Sequence, residues 1–250
     1  MKMIILALET STLTGSIALV EAPVGKDGTW KREKILGETT LCTPETHSAR
    51  LMPTIDRLLQ ETSLTIHQVQ GIALGLGPGS FTGLRIAVST VKGLAYSLKV
   101  PVVGVPTLNA LACNLPYVPT LVCPVLDARK KEVYAALFRG TGEGHLEKIT
   151  EDWVLSPEDL CSRIPEKTVF LGNGIEVYGE FFKEKLGSRV LFAPPELSLP
   201  RAANVARLSL SGFKDGLTLD LFSFTPIYIR RSEAEIHYEA KEQKKFSGET

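Results

Sequence analysis

The stretch Gly75-Leu-Gly-Pro-Gly-Ser-Phe-Thr-Gly-Leu-Arg85 separates an apolar run, Gly71 to Gly75, from a segment, Gly83 to Leu98, in which Leu84, Val88, Val91, Ala95 and Leu98 recur in steps of three and four. That order reads as buried strand, glycine-rich turn and amphipathic helix. Glycine tolerates positive φ and lets another backbone come close, and a helix start offers free N–H groups to an anion. A phosphate cradle is therefore one reading of the loop. Against it, no lysine occupies the place a Walker-type loop needs, Pro78 removes one N–H donor, and the next strand, Val100 to Pro106, carries no acidic residue for a dinucleotide ribose. As a glycine pattern alone, the loop reads first as a structural turn and second as a ligand loop.

Outward from the loop, Ile4 to Leu8 is an apolar strand, Glu9 to Thr14 a short polar turn and Gly15 to Ala22 a strand returning as a hairpin, with another strand near Lys34 to Leu41. Leu51, Ile55, Leu58 and Leu59 place a helix over Ala49 to Gln60, with Ser48 as its expected cap. After the strand Val100 to Val105 and a helix from Thr107 to Asn114, the plan starts again. Leu121 to Asp127 is a strand, Ala128 to Lys131 a tight turn and Glu132 to Phe138 the return strand. Helices at Pro157 to Arg163, Glu176 to Leu186 and Arg201 to Gly212 follow, with strands at Val169 to Leu171 and Val190 to Phe192. Two related lobes, each opening on a hairpin whose turn faces a cleft, are the plan of actin-like ATPases. The expected class is α/β, a two-lobed actin-like (ribonuclease H-like) fold with mixed sheets. The expected division is an N-terminal lobe at 1–106, a C-terminal lobe at 107–237 and a polar tail at 238–250, too poor in apolar residues to order itself.

Composition limits the function classes. With 250 residues and 44% apolar content the chain can bury a large core, and 28 acidic residues balance 28 basic ones, so no global charge marks a nucleic-acid or membrane surface. The run Met3 to Leu8 is too short for a signal-peptide core or a membrane span. A cytoplasmic location with no membrane contact is expected. Cys42, Cys113, Cys123 and Cys161 are widely spaced and read as reduced core residues.

As a whole string, GPGSFTGLRIAVSTVKGLA is far more specific than its glycines. It resembles the signature of the TsaB (YeaZ) family, and ILALETSTLTGSIAL, His47-Ser48, PVVGVPTLNALA, PVLDARKKEVYAALF, LGNGIEVYGE and PIYIRRSEAE agree with it. The signature residues are Gly77, Pro78, Gly79, Ser80, Phe81, Thr82, Gly83 and Arg85. The resemblance implies a non-catalytic subunit that pairs with and activates a TsaD-like catalytic subunit. With a TsaE-like ATPase joined through the complex, that subunit would transfer threonylcarbamoyl to the tRNA adenosine beside the anticodon. It implies tRNA contact only as part of the complex, and leaves open a homodimer of the isolated chain.

The residues test whether this copy is catalytic. TsaD-like relatives hold a metal with two histidines four apart on the crossing helix, one face of a helical turn. Here Thr107 and Leu111 take those places, and His47, His67, His145 and His237 show no ligand spacing. The fold grips phosphate with a turn in each lobe, usually Asp with glycine two residues on, because a Cβ there would collide with the phosphate. The first turn reads Glu9-Thr10-Ser11, and the second reads Asp127-Ala128-Arg129. A degenerate nucleotide site with Glu9, Thr10, Ser11 and Asp127 as vestigial candidates follows, with no catalytic residue, cofactor or metal expected. Asp127 also fits a plain turn residue. No Gly-x-Ser-x-Gly elbow is present. The alternative reading is a small actin-like ATPase or kinase with an unconventional phosphate site.

Opposite the apolar stripe of the Gly83 to Leu98 helix, Ile86, Thr90, Gly93 and Ser97 form a second stripe, small or neutral where a solvated face would carry charge. Small residues admit a second helix closely, which makes this the expected docking face for the catalytic subunit.

Overall fold

The computed structural model describes residues 2–23, 32–43 and 46–230, so the tail expected at 238–250 lies outside the described residues. Strands β1 (Lys2–Glu9) and β2 (Thr14–Pro23) form the expected hairpin, and β3 (Lys34–Cys42) adds antiparallel to β2. Helix α1 (His47–Glu61) leads to β4 (Gly71–Gly77), parallel to β1, and α2 (Phe81–Leu98) to β5 (Val102–Pro106), parallel to β4. The first sheet runs β3-β2-β1-β4-β5.

After α3 (Thr107–Ala112) the order repeats. Strands β6 (Leu121–Arg129) and β7 (Glu132–Ala135) form a hairpin, β8 (Phe138–Gly140) and β9 (Leu146–Lys148) a side ladder, and β10 (Trp153–Leu155) pairs with β7. Helix α4 (Pro157–Ser162), β11 (Thr168–Leu171), α5 (Gly174–Leu186) and β12 (Val190–Phe192) complete a path β10-β7-β6-β11-β12. Strand for strand this matches the first sheet, antiparallel on the hairpin side and parallel on the other. The duplicated topology is that of the two-lobed actin-like fold.

Alternation along β1 distributes the core. Leu6 and Leu8 meet Ile55 and Leu58 of α1 and Val88 and Val91 of α2, whereas Ile5 and Ala7 face Val205 and Ala206 of α6 (Ala202–Asp215). A central strand buried on both faces reads as a continuous apolar run for that reason. In the second sheet α4 and α5 cover one face with Leu160 and Phe182, and Leu108 and Leu111 of α3 cover the other.

Several expectations need correction. Helix α1 starts at His47, so Ser48 lies inside it and Thr46 is the flanking residue, without a side-chain cap bond. The return strand expected over Glu132 to Phe138 is split: Ala135 ends β7, and Phe138 pairs instead with Val122 in β8. Among the cysteines Cys123 and Cys161 are buried, Cys113 is half-buried and Cys42 is exposed at the end of an edge strand, so Cys42 is not a core residue. Helix α6, counted with 107–237 from sequence, packs on the first sheet. Its N-terminus is held there by Glu38 of β3, which accepts from the Ala203 N–H and pairs with the Arg201 guanidinium. No helix among the described residues is long and apolar enough to cross a membrane.

Candidate functional site

The hairpin turn of the first sheet and the signature loop form one packed unit. The Ser80 N–H donates to the Ser11 carbonyl at 2.6 Å, and the Thr10 hydroxyl donates to the Gly83 carbonyl at 2.9 Å. Ser80 also caps α2, its Oγ accepting from the Gly83 N–H at 3.3 Å. The peptide bond Gly77–Pro78 is cis. Positive φ in the loop belongs to Gly77, at 103°, and not to Gly79 or Gly83. These two are glycine for another reason. A Cβ on Gly79 would stand 2.3 Å from the Ser11 carbonyl oxygen, and one on Gly83 2.2 Å from that of Thr10.

Glu9, Thr10 and Ser11 are therefore covered, at 0%, 0% and 2% exposure. The Glu9 carboxylate accepts from the Ser11 N–H at 2.7 Å and from the Thr107 hydroxyl at 3.2 Å, and a Cβ on Gly75 would sit 2.1 Å from its Oε2. The Thr107 hydroxyl thus steadies a buried carboxyl. His47 closes the unit from α1, its Nε2 donating to the Thr12 carbonyl at 2.8 Å.

Burial raises the Glu9 carboxyl above its ordinary 4.5, outweighing the hydrogen bonds that favour the charged form. A carboxyl with a raised folded value stabilises the fold below its unfolded value and loses that stabilisation as pH rises through the folded one. Glu9→Gln keeps the shape and both hydrogen-bond positions without ionising. Its melting temperature relative to wild type is expected to climb as pH increases from about 4.5, where the unfolded chain ionises, toward 8. A difference independent of pH in thermal unfolding would contradict this.

The second hairpin turn is built differently and stands apart from the loop. Asp127 accepts from the Arg129 N–H at 2.9 Å and pairs with the Arg129 guanidinium at 3.2 Å, and its own N–H donates to Asn173. Arg129 pairs with Glu132 across the hairpin, so Lys130 and Lys131 are its two-residue tip. All three basic residues have positive φ, 62°, 52° and 63°. Such tips suit Asn-Gly, and each non-glycine residue held there costs roughly 1 kcal/mol or more.

The signature residues Phe81, Thr82 and Arg85 point outward. Arg85 lies over the Phe81 ring at 3.7 Å and donates to the Tyr228 hydroxyl at 3.0 Å. Along α2, Gly93 and Ser97 are exposed and Gly93 has nothing within 4 Å of a built Cβ. Ile86 and Thr90 are only half exposed, because Ile86 leans on the core and Thr90 bonds back to the Ile86 carbonyl. Residues 219–230, which flank α2, had no expected role, although they begin the characteristic string PIYIRRSEAE. The Leu219 N–H donates to the Val102 carbonyl of β5 and that of Ile227 to the Leu76 carbonyl of β4, and Lys92 donates to the Phe222 carbonyl, laying this segment beside α2. Among the described residues no group of three or more His, Cys, Asp or Glu side chains converges to hold a metal.

Comparison with known proteins agrees with this architecture. The family model described as "TsaD: tRNA N6-adenosine threonylcarbamoyltransferase" matches residues 41–238. The tRNA threonylcarbamoyladenosine biosynthesis protein TsaB of Bacillus subtilis is 30% identical over 236 residues, covering 93% of this chain and 96% of that protein. The TsaB of Escherichia coli is 29% identical, covering 92% and 96%. YeaZ from Pseudomonas aeruginosa superposes with a TM-score of 0.73 at 29% identity, over 91% of this chain and all of the other. Similarity of sequence along nearly the whole length, together with a shared two-sheet fold, means that the chain belongs to the TsaB/YeaZ family of tRNA threonylcarbamoyladenosine biosynthesis proteins.

Proposed function

We propose that the chain is a non-catalytic subunit that pairs with and activates a TsaD-like catalytic subunit in the formation of threonylcarbamoyladenosine in tRNA, with a TsaE-like ATPase joining through the complex. One observation carries the reading. The turn that would grip phosphate in the first sheet is filled by the protein itself, because the signature loop places the Ser80 N–H and the Gly79 and Gly83 backbones on Thr10 and Ser11. A phosphate has no room where the loop lies, and no glycine relieves the second turn, where Arg129 folds back on Asp127. The loop is thus an internal wedge that fixes the hairpin and the start of α2, and α2 presents its small residues outward.

The alternative, a small ATPase or kinase, needs an open phosphate turn and receives no support from this packing. Three measurements separate the readings. The isolated chain is expected to bind ATP no tighter than millimolar, to carry no stoichiometric zinc or iron and to transfer no threonylcarbamoyl to tRNA. Adding a TsaD-like subunit is expected to produce transfer well above that of the TsaD-like subunit alone. One tightly held metal per chain by elemental analysis, or micromolar ATP affinity with turnover, would overturn the accessory role.

A further inference from the structure

Cations and aromatic rings are gathered along one surface band that connects the two sheets. It begins at α2, where the exposed Arg85 guanidinium stacks on Phe81 and bonds Tyr228, both rings being 39% exposed. Two residues beyond Tyr228, the Arg230 guanidinium donates to the Ala128 carbonyl at 3.0 Å and pairs with Glu132 at 3.4 Å, reaching the base of the second hairpin. The hairpin then presents Arg129, Lys130 and Lys131 in succession, all exposed. Tyr178 lies within electrostatic reach of Asp127 and Arg129. The acidic residues of the hairpin, Asp127 and Glu132, are each engaged by an arginine.

We propose that this band binds the sugar-phosphate backbone and unstacked loop bases of an RNA, with the hairpin tip on phosphates and the Arg85–Phe81–Tyr228 cluster against a base. The proposal rests on the reading that the chain works in tRNA modification, and adds where the RNA lies. Three features favour RNA over an acidic protein surface. The chain as a whole is neutral, yet this band sets five cations against two carboxylates. A guanidinium lying 3.7 Å over a partly open Phe81 ring that itself meets Tyr228 at 5.1 Å offers a base a flat cationic and aromatic platform, the arrangement used for single-stranded RNA. The tip also keeps three long cations in the left-handed region where glycine or asparagine would fold at lower cost, which points to a role for charge rather than for turn formation.

The test uses the full chain, alone and mixed with its TsaD-like subunit, and a fluorescent tRNA transcript titrated at several salt concentrations. Lys130→Asn with Lys131→Gly removes two charges while supplying the preferred turn residues, so folding is retained. This variant is expected to weaken tRNA binding about tenfold or more near 0.1 M salt and to lower the slope of log affinity against log salt by about two. Phe81→Leu is expected to lose about fivefold or more with the slope unchanged. Calorimetric pairing with the TsaD-like subunit should match wild type for the hairpin variant. Wild-type tRNA affinity and slope in that folded variant, or no tRNA binding by the wild-type chain in either form, would overturn the proposal. So would loss of pairing with tRNA affinity intact, which would make the band a protein interface, or displacement of the RNA by millimolar ATP with loss of ATP binding in the same variants. Failure of the wild-type chain to pair, with RNA binding retained, would instead fault the accessory-subunit reading.

Discussion

Gly83→Val is expected to destabilise the fold by about 3 kcal/mol or more, the upper end of what overpacking a well-filled interior costs. The cause is contact and not backbone conformation, since Gly83 has no positive φ. A Cβ at Gly83 would lie 2.2 Å from the Thr10 carbonyl oxygen and 3.2 Å from the His47 ring, and the branches of valine would press further. Neither neighbour can step aside cheaply. Thr10 is fully buried in a turn pinned by the Glu9 carboxyl, and His47 is itself bonded to that turn. Gly79→Val meets the Ser11 carbonyl at 2.3 Å and should behave alike. For a chain of this length a loss of that size lowers the melting temperature by roughly 6 to 12 °C. Gly93→Val is the control, because its Cβ points into open space and valine is the better helix former. Equal melting temperatures for Gly83→Val and the control would show that the loop yields and that its glycines answer to a ligand or partner instead.

The second large effect is expected on association. Gly93→Arg should leave folding intact or improve it slightly, since arginine exceeds glycine in helix propensity by somewhat under 1 kcal/mol and nothing stands within 4 Å of the new Cβ. The exposed strip around Gly93 and Ser97 is bounded on one side by α1. On the other lies the segment that follows α6, where Lys92 donates to the Phe222 carbonyl and Tyr96 meets the Phe222 ring at 6.4 Å. A long cation in that narrow strip should prevent a partner helix from approaching, weakening pairing with a TsaD-like subunit by at least ~2 kcal/mol, about thirtyfold. Titration calorimetry on the folded variant reads this directly, and wild-type affinity would place the docking surface elsewhere. The half-buried Ile86 and Thr90 are poorer probes, because Ile86 also supports the core.

Local chemistry made much of this legible before any coordinates. Strand β1 declares itself as a continuous apolar run because both of its faces are covered, and α2 by the steps of Leu84, Val88, Val91 and Ala95, which are buried, and Leu98, which is half-buried. The restart at Leu121 announced the duplicated lobe, and the string around Gly77 to Ala95 identified the family. Short strands were legible only in part: β12 was expected from sequence, β10, equally three residues long, was not, and the chain between Ala135 and Phe138 changes partner without any change in character. Periodicity tells which face of an element is apolar but not which element covers it. Only the tertiary structure could therefore decide that α6 returns to the first sheet, where its alanines fit against Ile5 and Ala7. The same limit governs the site. Sequence named Glu9, Thr10 and Ser11 and, separately, the glycines of the loop. That Gly79 and Gly83 admit the carbonyls of Ser11 and Thr10, and so cover the hairpin turn, depends on two segments about 70 residues apart meeting at backbone contact, which no local pattern records.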